Sequence, residues 1–329
     1  MEISDLTLDE IAGTRRAIDD YVVTTPVHRV RAMEFETRIG AATEVNLKLE
    51  LMQVTGTFKA RGAINVILNL SPEQRARGVT AVSAGNHAIA VAYAARALGV
   101  SAKVVMLKTA NAFRVAAARA YGADVLIAED GRAGFALAEE LSAKEGRAFV
   151  HPFEGRFTSL GTATVGWEWC RQTEGLDAVI VPIGGGGLMS GIASAVKAMS
   201  PRTRVYGVEP VGAAVMQRSF DAGEPQRWDD IRTIADSLAP PFTTPMAYTL
   251  CKRHVDALVQ VTDAQLIDAM KLLYNATKLA TEPAGAAATA ALCGPLRETL
   301  HGKRVGVLVC GTNIDIAGFH TLLDRANSA

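Results

Sequence analysis

Lys59 stands in the run Thr55-Gly56-Thr57-Phe58-Lys59-Ala60-Arg61-Gly62-Ala63, directly before the apolar residues of a predicted helix over residues 60–70. An aromatic neighbour and a nearby positive charge such as Arg61 both lower the pKa of an amine. A lysine with a lowered pKa holds more free base for attack on a carbonyl group. The run by itself leaves two interpretations, because lysines near helix starts are usually solvated. The choice between a reactive and a solvated Lys59 depends on what the rest of the chain places beside it.

Three further segments share one pattern, a short apolar strand that ends in small or polar residues and leads into a helix. They are residues 79–82 with Ser83-Ala84-Gly85-Asn86-His87-Ala88, residues 178–183 with Gly184-Gly185-Gly186-Gly187-Leu188, and residues 305–309 with Cys310-Gly311-Thr312-Asn313. Free N–H groups at a helix start bind anions, and glycines let the backbone wrap a phosphate. The glycine run matches neither G-x-G-x-x-G nor a Walker loop, and a flexible turn is its alternative interpretation.

Alternating strands and helices predict the fold class. Short apolar strands are expected at residues 104–107, 125–128 and 148–152, separated by helices at 112–121 and 135–145. Capping signals at Thr7-x-x-Glu10 and Ser71-Pro72-Glu73 predict two further helix starts, the first helix running to about Tyr21. This alternation is typical of parallel α/β sheets covered on both faces. Such sheets bind ligands at the carboxyl ends of their strands, where Ser83, Gly184 and Cys310 all fall.

Six motifs in order make the chain similar to a known family. They are Lys48-x-Glu50-x-x-Gln53-x-Thr55-Gly56-Thr57-Phe58-Lys59-x-Arg61-Gly62-Ala63 (with Thr57 for the usual serine), Ser83 to Ala88, Gly184 to Gly187, Gly207-Val208-Glu209-Pro210, Thr281-Glu282-Pro283-Ala284-Gly285 and Cys310 to Asn313. The chain resembles, over essentially its whole length, the fold-type II pyridoxal-phosphate enzymes, and within them the serine/threonine dehydratase and serine racemase family.

The resemblance implies an architecture of the tryptophan synthase β type, with two domains that each contain a mainly parallel sheet flanked by helices. A large coenzyme-binding domain is expected from residues 1–52 and 151–329, and a small domain from residues 53–150. The break between them is expected near Pro152-Phe153-Glu154-Gly155. Because the chain ends shortly after Asn313, we expect no C-terminal regulatory domain.

The resemblance also implies roles for individual residues. Lys59 holds the coenzyme, pyridoxal 5′-phosphate, through a covalent link and removes the substrate's Cα proton. Phe58 packs near the coenzyme ring, and Asn86 binds its 3′ oxygen. The phosphate is held by Gly184, Gly185, Gly186, Gly187 and the N–H of Leu188. The substrate carboxylate is bound by Ser83, Ala84, Gly85, Asn86 and His87.

Two residues near this site keep more than one interpretation, and a third is a further candidate for it. His87 either binds substrate or caps its own helix. Glu282 either supports the coenzyme-binding residues or belongs to a turn that ends a helix. Arg132 is a candidate for the carboxylate side of the substrate. These alternatives cannot be separated by residue type alone.

Cys310 occupies the position where many family members place a serine facing the pyridine nitrogen. A thiol, like a hydroxyl, is neutral and does not stabilise a protonated pyridinium, so the coenzyme is a weaker electron sink. A carbanion with a leaving group on Cβ then expels that group, which favours β-elimination over transamination. We expect the leaving hydroxyl to take its proton from the coenzyme phosphate. The alternative for Cys310, a buried packing thiol, is compatible with this contact.

Metal and disulfide sites are not predicted. Family members with a cation site carry an acidic residue shortly after the Gly-Val-Glu-Pro glutamate, whereas Glu209 is followed by Pro210 and then Val211-Gly212-Ala213-Ala214-Val215. One glutamate is a poor site for a hard cation. The six histidines lack metal-ligand spacing. The four cysteines read as reduced thiols of a cytoplasmic protein, three of them expected to be buried.

Composition excludes several classes of partner. The chain of 329 residues is 49% hydrophobic and 21% charged with a net charge of zero, so it can bury a large core. The chain lacks a polybasic stretch, so neither nucleic acid nor an anionic membrane surface is expected as a partner. No apolar run approaches a membrane span, and Met1 to Asp5 do not resemble a signal peptide. We expect a small amino-acid substrate and a homodimer or homotetramer.

The predicted reaction is the dehydration and deamination of a β-hydroxy L-amino acid to a 2-oxo acid and ammonia. The alternatives are an amino-acid racemase on the same scaffold and a catalytically silent coenzyme-binding protein. Racemases of the family carry a serine where this chain has Ala84, which favours elimination. The segment Ser237-Leu238-Ala239-Pro240-Pro241-Phe242-Thr243-Thr244-Pro245 replaces a glycine-rich loop beside the substrate. Besides threonine or serine, the substrate could therefore be bulkier, such as phenylserine or a hydroxyaspartate.

Overall fold

The computed structural model describes residues 3–325. Met1 and Glu2, on which the interpretation of the N-terminus partly depends, lie outside the described residues. Residues 326–329, the end of the predicted large domain, also lie outside them.

Ten strands in the described residues form two sheets. The strands are β1 (Val27–Arg29), β2 (Glu44–Lys48), β3 (Val79–Ser83), β4 (Ala102–Leu107), β5 (Asp124–Ala128), β6 (Ala148–Phe149), β7 (Ala178–Pro182), β8 (Arg204–Pro210), β9 (Ala257–Val261) and β10 (Arg304–Leu308). One sheet has six strands in the order β1-β2-β10-β7-β8-β9, and the other has four in the order β5-β4-β3-β6. All neighbours are parallel except the edge pair β1 and β2, in which Val27 lies opposite Lys48.

Helices flank both sheets. They are α1 (Leu8–Ala17), α2 (Met33–Ile39), α3 (Lys59–Leu68), α4 (Pro72–Arg77), α5 (Asn86–Ala97), α6 (Ala112–Ala120), α7 (Gly131–Glu145), α8 (Arg156–Gln172), α9 (Gly187–Met199), α10 (Val215–Ala222), α11 (Pro245–His254), α12 (Asp263–Thr277), α13 (Pro283–Cys293) and α14 (Ile316–Arg325). Short 3₁₀ turns lie at Asp19–Tyr21, Glu50–Met52, Val54–Gly56, Val211–Ala213 and Asp236–Leu238. The predicted α/β class with two mainly parallel sheets is confirmed.

Local signals located most element starts correctly. Capping boxes join Thr7 to Glu10 and Ser71 to Gln74 at the starts of α1 and α4. The first helix is shorter than predicted, because α1 ends at Ala17 and only the 3₁₀ turn reaches Tyr21. The strand predicted at 148–152 is also too long. It ends at Phe149, after which Val150 still donates its N–H to the carbonyl of Thr80, and the chain then leaves the sheet.

Two separate apolar cores accompany the two sheets. A large cluster around Leu47, Ile180 and Val307 fills the space beside the six-stranded sheet. A second cluster around Ile64, Ile89 and Val104 lies beside the four-stranded sheet. The four strands of the smaller sheet all fall within residues 79–149. The domain boundaries themselves remain a prediction.

Helix α8 packs closely against both α3 and α9 through glycines. A Cβ atom on Gly161 would lie 2.6 Å from the carbonyl oxygen of Arg61 in α3. A Cβ atom on Gly191 in α9 would lie 2.4 Å from the carbonyl oxygen of Ser159. Both distances are too short for a side chain, so only glycine permits these helices to approach. Helix α8 therefore fixes the position of α3, which begins at Lys59, relative to α9, which begins in the glycine run.

The carboxyl ends of β3, β7 and β10 all open toward the space between the two sheets, where one cavity is lined by residues that follow each strand. Within residues 3–325, none of the helices has the length and apolar character needed to cross a membrane.

Candidate active site

A cavity of about 1140 Å³ lies at these strand ends. It is lined by every residue that the sequence predicted for the site: Phe58, Lys59, Ser83, Ala84, Gly85, Asn86, His87, Gly184, Gly185, Gly186, Gly187, Leu188 and Cys310. Glu282 and Arg132 line it as well. Small-molecule sites commonly measure about 300–1,000 Å³, so the cavity has room for a coenzyme together with a substrate.

Lys59 is the first residue of α3; the residue as a whole is half-buried, and its side chain lines the cavity. The Nζ atom lies 5.3 Å from the centre of the Phe58 ring and donates a hydrogen bond to the carbonyl oxygen of Pro152. Burial lowers the pKa of Lys59 to about 8. The predicted direction was right, but the predicted cause was partly wrong. The Arg61 guanidinium points away from Lys59 and binds the carboxylates of Glu50 and Glu168.

The glycine run leads directly into α9, which starts at Gly187. Gly186 has a φ of 96°, in the left-handed region that favours glycine. A Cβ atom on Gly185 would lie 2.4 Å from the ring of Phe153, and one on Gly187 would lie 2.7 Å from its Cα. The N–H groups of the first helical turn have no acceptor within a helix and are free for an anion. An amine, an anion cradle and a neutral partner at position 310 face one cavity, so these residues fit pyridoxal phosphate.

Asn86 belongs to a network of fixed hydrogen bonds. Its Nδ2 atom donates to Glu282 Oε1 at 2.7 Å and to Ser237 Oγ at 3.1 Å. Its Oδ1 atom accepts a hydrogen bond from Asn313 Nδ2 at 2.8 Å. Asn313 Nδ2 also donates to the carbonyl oxygen of Thr55, which can only accept, so Asn313 presents a donor to Asn86 and the orientation of the Asn86 amide is determined. The amide nitrogen points to the Glu282 and Ser237 side of the cavity.

The structure revises the interpretations of His87 and Glu282. His87 lies inside α5 and does not cap it. Its Nε2 atom is 2.8 Å from the carbonyl oxygen of Val150, and burial lowers its pKa to about 3, so the ring is neutral. Glu282 precedes helix α13 rather than ending a helix. Burial raises the pKa of Glu282 to about 7, while its ion pair with Arg114 acts in the opposite direction.

Cys310 is buried at the end of β10 and its Sγ atom is 3.4 Å from the carbonyl oxygen of Ala284. Burial raises the pKa of this thiol, so it stays neutral at physiological pH. Cys251 is also buried, whereas Cys170 and Cys293 are only half-buried, so the expectation of three buried cysteines was wrong. All four cysteines are free thiols.

Glu209 uses both carboxylate oxygens at the start of α10. They accept the backbone N–H groups of Met216 and Gln217, each at 2.8 Å. In the part of the chain that the structure describes, His, Cys, Asp and Glu side chains form no group of three that could hold a metal ion. Metal independence itself stays a prediction.

Aromatic residues line one side of the cavity, and sequence reasoning did not assign them to the site. Phe135, Phe153 and Phe242, which we call the aromatic wall, all line the cavity. The centre of the Phe242 ring lies 5.4 Å from that of Phe153 and 5.9 Å from that of Phe135. His151 packs behind the wall, with 4.6 Å between its ring centre and that of Phe153. The three phenylalanines come from distant segments, and only the departure of residues 237–245 from the family pattern pointed toward one of them.

Arg114 is a second residue that the sequence did not identify. It lies on α6 and lines the cavity, with its side chain 6% exposed. It forms ion pairs with Glu282 and with Asp236. No motif includes this arginine, and its position in an alanine-rich helix resembles that of an ordinary surface residue.

Comparison with known proteins agrees with this geometry. The sequence profile of the family described as "Pyridoxal-phosphate dependent enzyme" matches residues 18–311. Phenylserine dehydratase from Ralstonia pickettii is 56% identical over 95% of this chain and 94% of its own length. L-threonine ammonia-lyase from Thermotoga maritima is 35% identical over 97% of this chain and 78% of its own length. The structure of maize serine racemase superimposes with a TM-score of 0.90 at 32% identity, covering 98% of this chain and 99% of that one.

The resemblance seen in the motifs is thus confirmed over most of the chain, from residue 18 to residue 311. The motif residues that carry it line one cavity, and the small amino-acid substrates of such enzymes fit that cavity. The chain belongs to the pyridoxal-phosphate dependent enzymes, uses pyridoxal 5′-phosphate as its cofactor, and is an ammonia-lyase.

Proposed function

We propose that the protein dehydrates and deaminates a β-hydroxy L-amino acid with an aryl group on Cβ, of the phenylserine class, to a 2-oxo acid and ammonia. The aromatic wall of Phe135, Phe153 and Phe242 is the observation that carries this choice. Aromatic rings attract one another beyond the simple burial of apolar area when their centres lie about 4.5–7 Å apart. A substrate phenyl group placed against this wall would add to an existing set of ring contacts.

The remaining residues divide the work of binding. Lys59 holds the coenzyme covalently and then removes the Cα proton, for which its pKa of about 8 is suited. The N–H groups of residues 184–188 hold the phosphate, Phe58 packs near the coenzyme ring, and Asn86 donates to the 3′ oxygen. The loop from Ser83 to His87 holds the substrate carboxylate. His87 contributes to this loop as a neutral, buried group.

When bound, the coenzyme supplies an electron sink for the pair released from the substrate's Cα–H bond. With the Cα proton on Lys59, the pair would form the Cα–Cβ double bond as the Cβ–OH bond breaks, and the hydroxyl would leave as water with a proton expected from the coenzyme phosphate. The enamine that results hydrolyses to the 2-oxo acid and ammonia. The neutral thiol of Cys310 would not stabilise a protonated pyridine nitrogen, which would favour elimination.

Ala84 argues against the racemase alternative. Racemisation needs a proton donor on the face of the substrate opposite Lys59, and an alanine side chain has no exchangeable proton. We expect negligible D-amino acid from the unmodified protein, and measurable racemisation after Ala84→Ser, by chiral chromatography. Substantial D-product from the unmodified protein would favour the racemase instead.

Hydroxyaspartate is the second candidate, because Arg132 lines the cavity and is exposed. A guanidinium at that place could pair with a second substrate carboxylate. Two relatives that are 34% and 36% identical carry the name L-threo-3-hydroxyaspartate ammonia-lyase. The aromatic wall offers nothing to such a carboxylate, so we place this candidate second.

The test is kcat/KM for 2-oxo acid formation from phenylserine, threonine, serine and 3-hydroxyaspartate. We expect phenylserine to exceed threonine by about tenfold or more, and Phe135→Ala to reduce that ratio. Arg132→Ala is the matched variant, which should lower only activity on hydroxyaspartate. A preference for hydroxyaspartate that Arg132→Ala removes would replace the aryl proposal. No turnover of any of these substrates would favour a silent coenzyme-binding protein.

We also propose the two-domain division at residues 53 and 150, a homodimeric or homotetrameric state and a cytoplasmic location. The confinement of the smaller sheet to residues 79–149 supports the division. A net charge of zero without a polybasic stretch supports a small-molecule substrate rather than nucleic acid. Light scattering of the purified protein tests the oligomeric state.

A further inference from the structure

Arg114 connects the two sides of the cavity. It lies on α6, which contacts β5 of the four-stranded sheet. Its partners lie next to β10 and α13 on the side of the six-stranded sheet. Its Nε atom donates to the carbonyl oxygen of Asn313 at 2.8 Å, and its Nη atoms donate to Asp236 at 2.6 Å and to Glu282 at 2.9 Å. The guanidinium is thus held by three acceptors from three different segments of the chain.

Glu282 passes this contact on to Asn86. One carboxylate oxygen of Glu282 accepts from Arg114, and the other accepts from the amide nitrogen of Asn86 at 2.7 Å. On its other side, Asn86 accepts from Asn313, whose amide nitrogen also donates to the carbonyl oxygen of Thr55 at 2.8 Å. The chain of hydrogen bonds is therefore anchored at both ends, by an arginine and by a backbone carbonyl.

The donor and acceptor roles in these hydrogen bonds determine which atom Asn86 presents to the cavity. An asparagine amide can be turned by half a rotation to exchange its donor and acceptor. A carboxylate at Glu282 accepts only, and the amide nitrogen at Asn313 donates only, so the reversed orientation loses both bonds. One hydrogen on the Asn86 nitrogen goes to Glu282, and the second, which bonds to Ser237 Oγ at 3.1 Å, is the one that the coenzyme's 3′ oxygen would take over from Ser237.

The charge of Arg114 opposes the effect of burial on Glu282. Burial favours the protonated carboxyl, as does nearby Asp236, and Cys310 is the other titratable group close to it. Arg114 is the cation that favours the carboxylate. Without it, a protonated Glu282 could donate as well as accept, and the Asn86 amide would lose its fixed orientation.

Gly85 leaves room for this arginine. A Cβ atom at residue 85 would lie 2.4 Å from the Cδ atom of Arg114 and 2.9 Å from its Nη1 atom. The glycine adjacent to Asn86 thus permits Arg114 to pass beside the loop and reach Glu282. Gly85 and Arg114 are thus matched in shape, directly beside the Asn86 end of the hydrogen-bond chain.

We propose that Arg114 is a positioning residue, which holds Glu282 as the acceptor that turns the Asn86 amide donor toward the coenzyme's 3′ oxygen. The inference rests on the proposed function in one respect, that Asn86 binds the coenzyme. The hydrogen bonds of the Arg114 guanidinium go to Asn313, Asp236 and Glu282, so we assign it a role through Glu282. Its removal should therefore alter how the coenzyme is held, before any amino acid is added.

The experiment titrates coenzyme-free protein with pyridoxal phosphate and follows the visible absorption band. Arg114→Gln should weaken coenzyme affinity by about tenfold or more, since it removes a charge-assisted contact to Glu282. It should also displace the wavelength of the band or its pH midpoint, which a purely structural role would not move. Arg114→Lys, which keeps the charge, should restore part of both properties.

Arg119→Gln is the matched control, because Arg119 is an exposed arginine of the same helix. It should leave affinity and spectrum unchanged. Glu282→Gln breaks the pair from the other side and should reproduce the Arg114→Gln spectrum. The double variant should be little worse than either single variant, since both remove one interaction.

A folded Arg114→Gln protein with unchanged coenzyme affinity and band would overturn the proposal. If Arg114→Gln does not fold, Glu282→Gln decides, and an unchanged spectrum in that variant overturns the proposal equally. The titration contains no amino acid, so its result is independent of which substrate the enzyme prefers. Failure of the substrate proposal would appear only in the kcat/KM panel.

Discussion

Lys59 and Arg61 stand two residues apart at the start of α3 and serve opposite sides of the helix. Lys59 faces the cavity. Arg61 is enclosed, with its side chain fully buried and both Glu50 and Glu168 bound to it at 2.7–2.9 Å. Lys48 and Arg15 complete this enclosed cluster through Glu168. The family motif contains both residues, yet only one of them has access to a ligand.

A second arginine-centred group, Arg114 with Glu282 and Asp236, has the same chemistry as the enclosed cluster but lines the cavity. The comparison shows that residue type does not distinguish an enclosed ion pair from one that lines the cavity. Only the position of the pair relative to the cavity does. The enclosed side of α3 should therefore govern stability, and the cavity side should govern coenzyme chemistry.

The largest effect is expected for Lys59→Ala, on the cavity side. It should abolish the visible coenzyme band and lower turnover by at least about 10²–10⁴-fold, because the variant has neither the covalent link nor the base. Absorbance and 2-oxo acid formation are the measurements, with the urea unfolding midpoint as the control for folding. Full activity in this variant would place the reactive site elsewhere.

Arg61→Met tests the enclosed side. It should lower the free energy of unfolding by about 3–5 kcal/mol, because it leaves buried carboxylates without their partner. Urea titration measures this loss. Arg16→Met, at an exposed arginine of α1, should stay within about 0.5 kcal/mol of the unmodified protein. A stable Arg61→Met protein with a changed coenzyme spectrum would break the distinction between the two sides.

The pH dependence of coenzyme capture tests the cavity side of α3 alone, because Lys59 is the group expected to titrate. With a Lys59 pKa of about 8, the reactive neutral amine makes up about a tenth of the population at pH 7. The rate of covalent capture should rise about tenfold per pH unit below 8 and level off above it. Stopped-flow absorbance gives the rate. A flat profile between pH 6 and 8 would show that Lys59 is not the titrating group.

The same pKa has a consequence for stability, with a defined sign. Burial lowers the pKa of Lys59 from 10.5 to about 8, so the folded protein binds the proton less strongly than the unfolded chain. Above pH 10.5 the Lys59 amine is neutral in both states, so its burial does not reduce the free energy of unfolding. As the pH falls from 10.5 to 8, the unfolded chain binds a proton that the folded protein does not, and stability is lost. In coenzyme-free protein, Lys59→Ala should gain most relative stability below pH 8.

The smallest effect is expected for Cys310→Ser. Both side chains are neutral, so coenzyme affinity should persist and kcat/KM should change by less than about tenfold. Cys310→Asp places a carboxylate where the pyridine nitrogen is expected and should raise side reactions at the expense of elimination. Product partitioning measured by chromatography distinguishes them. Equal partitioning in the aspartate variant would show that residue 310 does not face the coenzyme ring.

Local sequence signals predicted much of the fold and one half of the site. The strands before Ser83, Gly184 and Cys310 were placed within one or two residues, because apolar runs followed by small residues are a short-range pattern. Lys59 and the glycine run, which line the cavity as expected, were singled out by patterns of the same short range. The errors at residue 152 and at Tyr21 fall at element ends, where periodicity gives the weakest signal.

The other half of the site depends on tertiary structure. Arg114 and Glu282 are 168 residues apart in sequence. They become partners only because α6 packs beside the cavity. Phe135, Phe153 and Phe242 form a wall only after a helix and two connecting segments meet. The cause of the low Lys59 pKa was misjudged for the same reason, since Arg61 is adjacent in sequence but turns to Glu50 and Glu168.

The aromatic wall has a consequence for how such enzymes diversify. Phe153 and Phe242 lie in connecting segments between β6 and α8 and before α11, outside the strands and helices that hold Lys59 and the glycine run. Substitutions at Phe242 could alter substrate range without disturbing the coenzyme, whereas Phe153 packs against Gly185 and Gly187 of the glycine run and is less free to change. The ion pairs of Arg61 allow no such stepwise route, because losing either partner leaves a buried charge. Substitutions that adapt such enzymes to new substrates should therefore be concentrated in these connecting segments.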